Sequence, residues 1–156
     1  MAAKWIAGID FGTVRIGIAL ADPEVKIASA YENYTRRGPA ADAKYLSRLA
    51  REQAVDRFVV GLPVHLDGRE SQKSREAREF GAWLTEATGL PVEYFDERFT
   101  SFEAEQHLLD AGLTKKKRRE RLDKLAAQIM LTAYLERTPR AAPADRADGE
   151  LGLDDR

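Results

Sequence analysis

Two apolar runs near the start of the chain are separated by only three residues. Residues 4–10 and 14–21 both have the pattern of β-strands, and the turn Phe11-Gly12-Thr13 joins them. Parallel neighbours in a sheet need a crossover of about a dozen residues or more, so these two strands must be antiparallel if they pair. A turn signal at Asp22-Pro23-Glu24 precedes a third predicted strand over residues 25–34. The chain is therefore expected to begin with a three-stranded antiparallel meander.

The rest of the chain alternates helical and strand patterns. Helices are predicted over residues 40–55, from an N-cap at Ser71 to about residue 87, from Thr100 or Ser101 to about residue 111, and over residues 116–136. The apolar run RFVVGLP and the segment LPVEYFDE are predicted to be the fourth and fifth strands. Crossovers through helices make these later strands parallel to the first. The predicted fold class is α/β, with a mixed five-stranded sheet and helices on both faces.

Composition limits the kind of protein and of site. A chain of 156 residues favours one domain, which we place at residues 1–137, followed by a flexible tail at residues 138–156 that has almost no large apolar side chain. There is no cysteine, which excludes disulfides and thiolate metal sites and weakly favours a reducing compartment. No segment has the apolar character of a signal peptide or of a membrane span, so a soluble, cytoplasmic protein is expected.

Acidic residues follow two strands that are distant in the sequence. Asp10 ends the first strand, and Asp96 and Glu97 end the fifth. Since the carboxyl ends of parallel strands share one edge of a sheet, these acids are expected to lie close together. On the last helix, Asp123 lies at the margin of a predicted apolar stripe, beside Met130. The full predicted stripe is Leu122, Ala126, Ile129, Met130 and Ala133.

Three clustered carboxylates repel one another unless a cation lies between them. Hard oxygen ligands suit Mg²⁺ or Mn²⁺, and two such ions about 3.5–4 Å apart support phosphodiester hydrolysis with water as the nucleophile. With two histidines and no cysteine, a zinc site is poorly supported. Each acid also has an ordinary explanation: Asp10 as a turn residue, Asp96 and Glu97 as loop acids, and Asp123 as a surface residue.

Four sequence blocks, in this order, resemble the YqgF/RuvX family: GIDFGTVRIGIAL, VVGLPVHLDGRES, FDERFTSFEAE and LDKLAAQIML. The family has a ribonuclease-H-like fold related to the RuvC resolvases. The resemblance implies that Asp10, Glu97 and Asp123 are catalytic carboxylates that bind Mg²⁺ or Mn²⁺. Only the resemblance selects Glu97 over Asp96, because the parity of the fifth strand depends on its register. A fourth acid found in many proteins of this fold is replaced here by Ala126 and Ala127, so occupancy by two metals is left open.

Basic residues near these blocks are candidates for nucleic-acid binding. Arginine suits phosphate oxygens, and the alternative for Arg15 and Arg98 is a structural salt bridge. A run of five basic residues precedes Asp123 and could follow a phosphate backbone, the alternative being an ordinary solvated face of the helix. The candidates are Arg15, Arg98, Lys115, Lys116, Lys117, Arg118 and Arg119. Gly61 is expected to shape the loop after the fourth strand, where glycine either allows a close approach of backbone to substrate or forms a turn.

The leading hypothesis is a metal-dependent endonuclease acting on structured nucleic acid. The resemblance implies either maturation of the 5′ end of pre-16S ribosomal RNA or resolution of Holliday-junction-like DNA, and a resolvase would act as a homodimer on a two-fold junction. The first alternative is a non-catalytic RNA-binding factor of ribosome assembly, suggested by the incomplete acid set. The second is nucleotide binding, because DFGTVRIG also resembles a phosphate loop of the actin and sugar-kinase superfamily.

Overall fold

The structure, a computed structural model, describes residues 4–65, 67–100 and 115–137, with the side chains of the last segment described from Lys124 onward. The strands are β1 (Trp5–Asp10), β2 (Arg15–Asp22), β3 (Ile27–Thr35), β4 (Val55–Leu62) and β5 (Val92–Asp96). The helices are α1 (Pro39–Glu52), α2 (Gln72–Thr88) and α3 (Lys115–Arg137), and a 3₁₀ turn spans Glu97–Phe99. The helix predicted over residues 100–111 and the tail predicted at 138–156 lie outside the described residues.

The five strands form one sheet in the order β3-β2-β1-β4-β5. β1 pairs antiparallel with β2, and β2 antiparallel with β3. β4 lies parallel to both β1 and β5. The predicted mixed sheet is confirmed, including the antiparallel start that the three-residue turn requires.

Helices cover both faces of the sheet. On one face, α1 and α2 pack over a core that includes Ile9, Phe58 and Leu84. On the other face, α3 packs over small residues, and its Leu131 lies so close to Gly8 that a Cβ atom added there would be 3.0 Å from Leu131 Cβ. None of the described helices is both long and apolar enough to cross a membrane.

Two details of the predicted helices are corrected by the structure. The first helix ends at Glu52 rather than near residue 55, because Ala54 has a φ of 55° and a left-handed residue interrupts the helix. The predicted stripe of the last helix is displaced: Ala126 and Ile129 are half-buried. Among the side chains of α3 that the structure describes, the buried ones are Ala127, Met130, Leu131, Ala133, Tyr134 and Leu135. Alanine is small and only weakly hydrophobic, so Ala126, Ala127 and Ala133 carry little directional information, and contact with the sheet decides the orientation.

The start of α2 is as predicted. The Ser71 hydroxyl accepts a hydrogen bond from the Ser74 N–H at 2.9 Å, and Ser74 Oγ accepts one from the Ser71 N–H at 2.8 Å. The Ser71 hydroxyl also donates to the carbonyl of Pro63 at 2.6 Å. This capping box begins the helix and ties it to the loop after β4.

Candidate active site at the carboxyl edge of the sheet

Asp10 lies at the end of β1, on the face of the sheet that α3 covers. Side chains alternate between faces along a strand, so Asp10 shares its face with Ile6 and Gly8, both of which meet α3 residues. Ile9 pairs with Val60 of β4, so Asp10 and Gly61 follow side by side at the ends of adjacent strands. Such neighbours are about 4.8 Å apart. Asp10 is half-buried.

Glu97 reaches over β4 toward β1. It is the first residue of the 3₁₀ turn after β5. A Cβ atom added at Gly61 would be 3.0 Å from Glu97 Cδ and 3.1 Å from its Cγ, and would overlap Oε2. The Glu97 carboxylate therefore lies directly on the backbone of Gly61, the β4 residue beside Asp10. The structure brings Asp10 and Glu97, which are far apart in the sequence, to one place.

Asp96 is directed differently. It follows Tyr94 on β5 at strand spacing, and Tyr94 packs in the core under α1 and α2. The Asp96 carboxylate accepts hydrogen bonds from the Arg98 backbone N–H at 2.9 Å and from Arg98 Nε at 2.9 and 3.0 Å. The hydrogen bond from the Arg98 side chain lowers the pKa of Asp96, against the opposing effect of partial burial. The register of β5 thus shows that Asp96 and Glu97 are directed to different places, a choice that the alternation of side chains in the sequence could not make.

The third predicted acid lies on the sheet-facing side of α3 at the level of the backbone. Position 123 precedes the buried Ala127 by four residues and Met130 by seven, which is one stripe of an α-helix. The side chain of Asp123 is outside the described residues, as are those of Lys115, Lys116, Lys117, Arg118 and Arg119. Among the side chains that are described, no group of three or more histidine, aspartate or glutamate residues could hold a metal ion.

The two candidate arginines differ in their surroundings. Arg98 forms the salt bridge with Asp96, and its guanidinium also approaches Gly68, whose added Cβ would be 3.4 Å from Nη1. Arg15 is half-buried at the start of β2, opposite Thr35 of β3. For Arg98 the structural alternative is therefore present in the structure, and a phosphate contact by either arginine stays a prediction.

Gly61 has a role that the sequence left undefined. It lies within β4, not in the following loop, and its missing side chain leaves the space that the Glu97 carboxylate occupies. The signal in the sequence is a glycine at the end of a β-branched run, where a larger residue would pack better. The resulting pair of carboxylates offers hard oxygen donors in a half-buried place, which suits Mg²⁺ or Mn²⁺ better than a softer metal.

Comparison with known proteins gives a consistent family and fold. Residues 4–137 match the family model described as "RuvX: Holliday junction resolvase". A protein of Rhodopirellula baltica named "Putative pre-16S rRNA nuclease" is 47% identical over 131 residues, which are 84% of this chain and 76% of that protein. One of Anaeromyxobacter dehalogenans with the same name is 44% identical over 130 residues, 83% of this chain and 95% of that protein.

A solved structure shares the fold at low sequence identity. It is "T. thermophilus RuvC in complex with Holliday junction substrate", with a TM-score of 0.54 and 13% identity over 85% of this chain and 94% of that one. The likeness supports the ribonuclease-H-like architecture predicted from the sequence.

Proposed function

The chain belongs to the RuvX family of Holliday junction resolvases, and we propose that it is a divalent-metal-dependent endonuclease. It hydrolyses phosphodiester bonds in structured nucleic acid. The observation that supports the proposal most directly is the Glu97 carboxylate on Gly61, beside the end of the strand that carries Asp10. Two acids at one half-buried edge repel each other, and a divalent cation relieves that repulsion.

The residues that would hold the ion are Asp10, Glu97 and Asp123. A bound Mg²⁺ or Mn²⁺ supplies Lewis-acid polarisation of the phosphate and neutralises its charge. Carboxylate oxygens of Asp10 and Glu97 that are not ligands accept hydrogen bonds and so orient the attacking water. Arg15, Arg98 and the basic residues 115–119 would hold the phosphates on either side of the cleaved bond.

The proposed substrate is a precursor of 16S ribosomal RNA, cleaved at its 5′ end. This follows the names of relatives that are 44–47% identical over most of their length or of this chain. The family description points instead to a four-way DNA junction, which would require a homodimer with two active sites.

A non-catalytic RNA-binding role is a second candidate, because α3 has alanine where a fourth acid would stand. The alanine side chain is a methyl group, so neither Ala126 nor Ala127 offers an oxygen ligand for a second ion. Tight RNA binding that is independent of metal, with no cleavage, would favour this role.

The test compares cleavage of a 5′-extended 16S precursor RNA and of a four-way DNA junction in Mg²⁺, in Mn²⁺ and in EDTA. We expect Asp10→Asn and Glu97→Gln to lose at least about 100-fold in rate, since each removes a charged ligand. Asp22→Asn is the matched control, because Asp22 ends β2 at the opposite edge of the sheet. If the Asp10→Asn variant is folded by circular dichroism and cleaves at the wild-type rate, the proposal is contradicted.

A further inference from the structure

A cavity of about 340 Å³ lies on the other side of the turn that follows Asp10. It belongs to the face of the sheet covered by α1 and α2, whereas Asp10 and Glu97 lie on the α3 face. Its volume is within the range of small-molecule sites. The lining residues that matter below are Phe11, Arg36, Glu76, Glu79, Phe80 and Trp83.

Three neighbouring aromatic rings lie along one wall of the cavity, with interplanar angles of 39° and 37° between successive rings. The ring centroids of Phe11 and Phe80 are 5.0 Å apart, and those of Phe80 and Trp83 are 5.4 Å apart. The Arg36 guanidinium lies 5.4 Å from the Phe11 centroid and 5.5 Å from that of Phe80. Phe80 is buried and Arg36 lies over both phenyl rings, so the groups left for a planar ligand to stack on are the Arg36 guanidinium and the half-buried Trp83 ring.

The charge of the cavity is negative. Arg36 is neutralised by the buried Asp42, with Nε 3.2 Å from Oδ2. Glu76 accepts a hydrogen bond from Gln72, whereas Glu79 is exposed and has no hydrogen bond or ion pair within the described part of the chain. A phosphate would be repelled here, and a planar group with N–H donors would be attracted.

We propose that this cavity binds a guanine base of the nucleic-acid substrate. This inference rests on the proposed nuclease function. Guanine presents two adjacent N–H donors on its Watson–Crick edge, which match the two oxygens of one carboxylate, and its ring can stack on the Arg36 guanidinium and on Trp83. Phe11 directly follows Asp10, so a strand crossing the turn can place a phosphate at Asp10 and a neighbouring base in the cavity.

A cationic side chain of a protein partner would also meet aromatic rings and carboxylates here. Arg36 already occupies the faces of Phe11 and Phe80, however, which are the places such a cation would take. The position beside the candidate active site further favours a base.

The experiment measures nucleotide binding through Trp83 fluorescence in EDTA, so that it is independent of metal and of cleavage. A Trp5→Phe background removes the other tryptophan, which lies at the amino end of β1. Guanosine, adenosine, cytidine and uridine 5′-monophosphates are titrated separately, up to about 10 mM, a range that reaches weak affinities. N-acetylarginine amide is titrated as the probe for a cationic side chain. Glu79→Gln is compared with Glu86→Gln, which is on the same helix face about 10 Å further along.

We expect guanosine monophosphate to quench Trp83 most strongly, with about tenfold weaker binding in Glu79→Gln and none of this loss in Glu86→Gln. If the carboxylates acted only by repelling phosphate, Glu79→Gln would bind all four nucleotides more tightly, which overturns the proposal. Equal binding of the four nucleotides, no quenching over the whole range, or quenching by the arginine probe alone would each overturn it as well. If guanosine monophosphate binds but the wild type does not cleave nucleic acid, the guanine site stands and the proposed nuclease function fails. If the wild type cleaves but guanosine monophosphate does not bind, the nuclease function stands and the guanine site fails.

Discussion

Replacing Gly61 by alanine tests whether Glu97 acts from the position that the structure gives it. Gly61 does not have a positive φ, so alanine is compatible with the backbone. The new methyl group would overlap Glu97 Oε2 and lie 3.0 Å from Cδ, well inside the usual carbon–carbon contact distance of about 3.5–4.0 Å. The Glu97 carboxylate must therefore move by about 1 Å or more.

A displacement of that size has a large effect on the rate of a reaction but a small effect on the free energy of unfolding. Misplacement by about 1 Å can cost about 100-fold in rate, so we expect a loss of that order in cleavage and a weaker affinity for Mn²⁺. Stability should change by less than about 1 kcal/mol, because the methyl group displaces the end of a flexible side chain, and because loss of glycine reduces the entropy of the unfolded chain.

Gly8→Ala provides the matched control. Gly8 lies on β1, on the same face, and also lacks a positive φ, but its added Cβ would be 3.0 Å from Leu131 Cβ in the core. Overpacking of this kind costs about 1–3 kcal/mol. We expect Gly8→Ala to unfold at lower urea concentration, yet to bind Mn²⁺ normally while folded.

The assays are isothermal titration with Mn²⁺, urea unfolding, and cleavage of the precursor RNA. If Gly61→Ala bound Mn²⁺ and cleaved RNA like the wild type, the position of the Glu97 carboxylate against Gly61 would not be the one from which Glu97 acts. A loss of stability in Gly61→Ala as large as that in Gly8→Ala would also refute the reasoning. The loss of activity would then reflect general destabilisation of the fold and not displacement of Glu97.

Three further predictions concern stability, pH and salt. Asp42→Ala should lower the free energy of urea unfolding by about 3 kcal/mol, because Asp42 is 1% exposed and accepts three hydrogen bonds at 2.8–3.2 Å; the exposed Asp67→Ala should cost less than about 1 kcal/mol. The pKa of Asp96 is lowered on folding, so its stabilising effect is complete above the unfolded pKa of about 3.9 and is lost as the pH falls through its folded pKa. Asp96→Asn should therefore flatten the acid limb of urea midpoint against pH, and an unchanged limb would contradict the assignment. Changing Lys115, Lys116 and Lys117 to glutamine should reduce the slope of log affinity against log salt for duplex nucleic acid by about 2–3, and an unchanged slope would show that they do not contact phosphate.

The sequence alone was sufficient to predict those features of the fold that depend on interactions between residues close together in the chain. Three residues between two apolar runs leave no length for a crossover, so β1 and β2 had to be antiparallel. The Ser71 cap is a contact between residues three apart, and it was readable for the same reason. The parallel direction of the first and fifth strands, which follows from the crossovers, then placed Asp10 and the end of β5 at one edge of the sheet.

Only the tertiary structure decided which residues meet at that edge. Glu97 was separated from Asp96 by the register of β5 on β4 and by the space that Gly61 leaves, both set by residues more than thirty positions away. The orientation of α3 followed from the small residues beneath it, because alanine side chains are too small and weakly hydrophobic to fix the buried face by themselves. The hydrophobic periodicity of a segment indicates its secondary structure and its buried face. A site depends on packing between segments that are distant in the sequence, and no local pattern predicts those contacts.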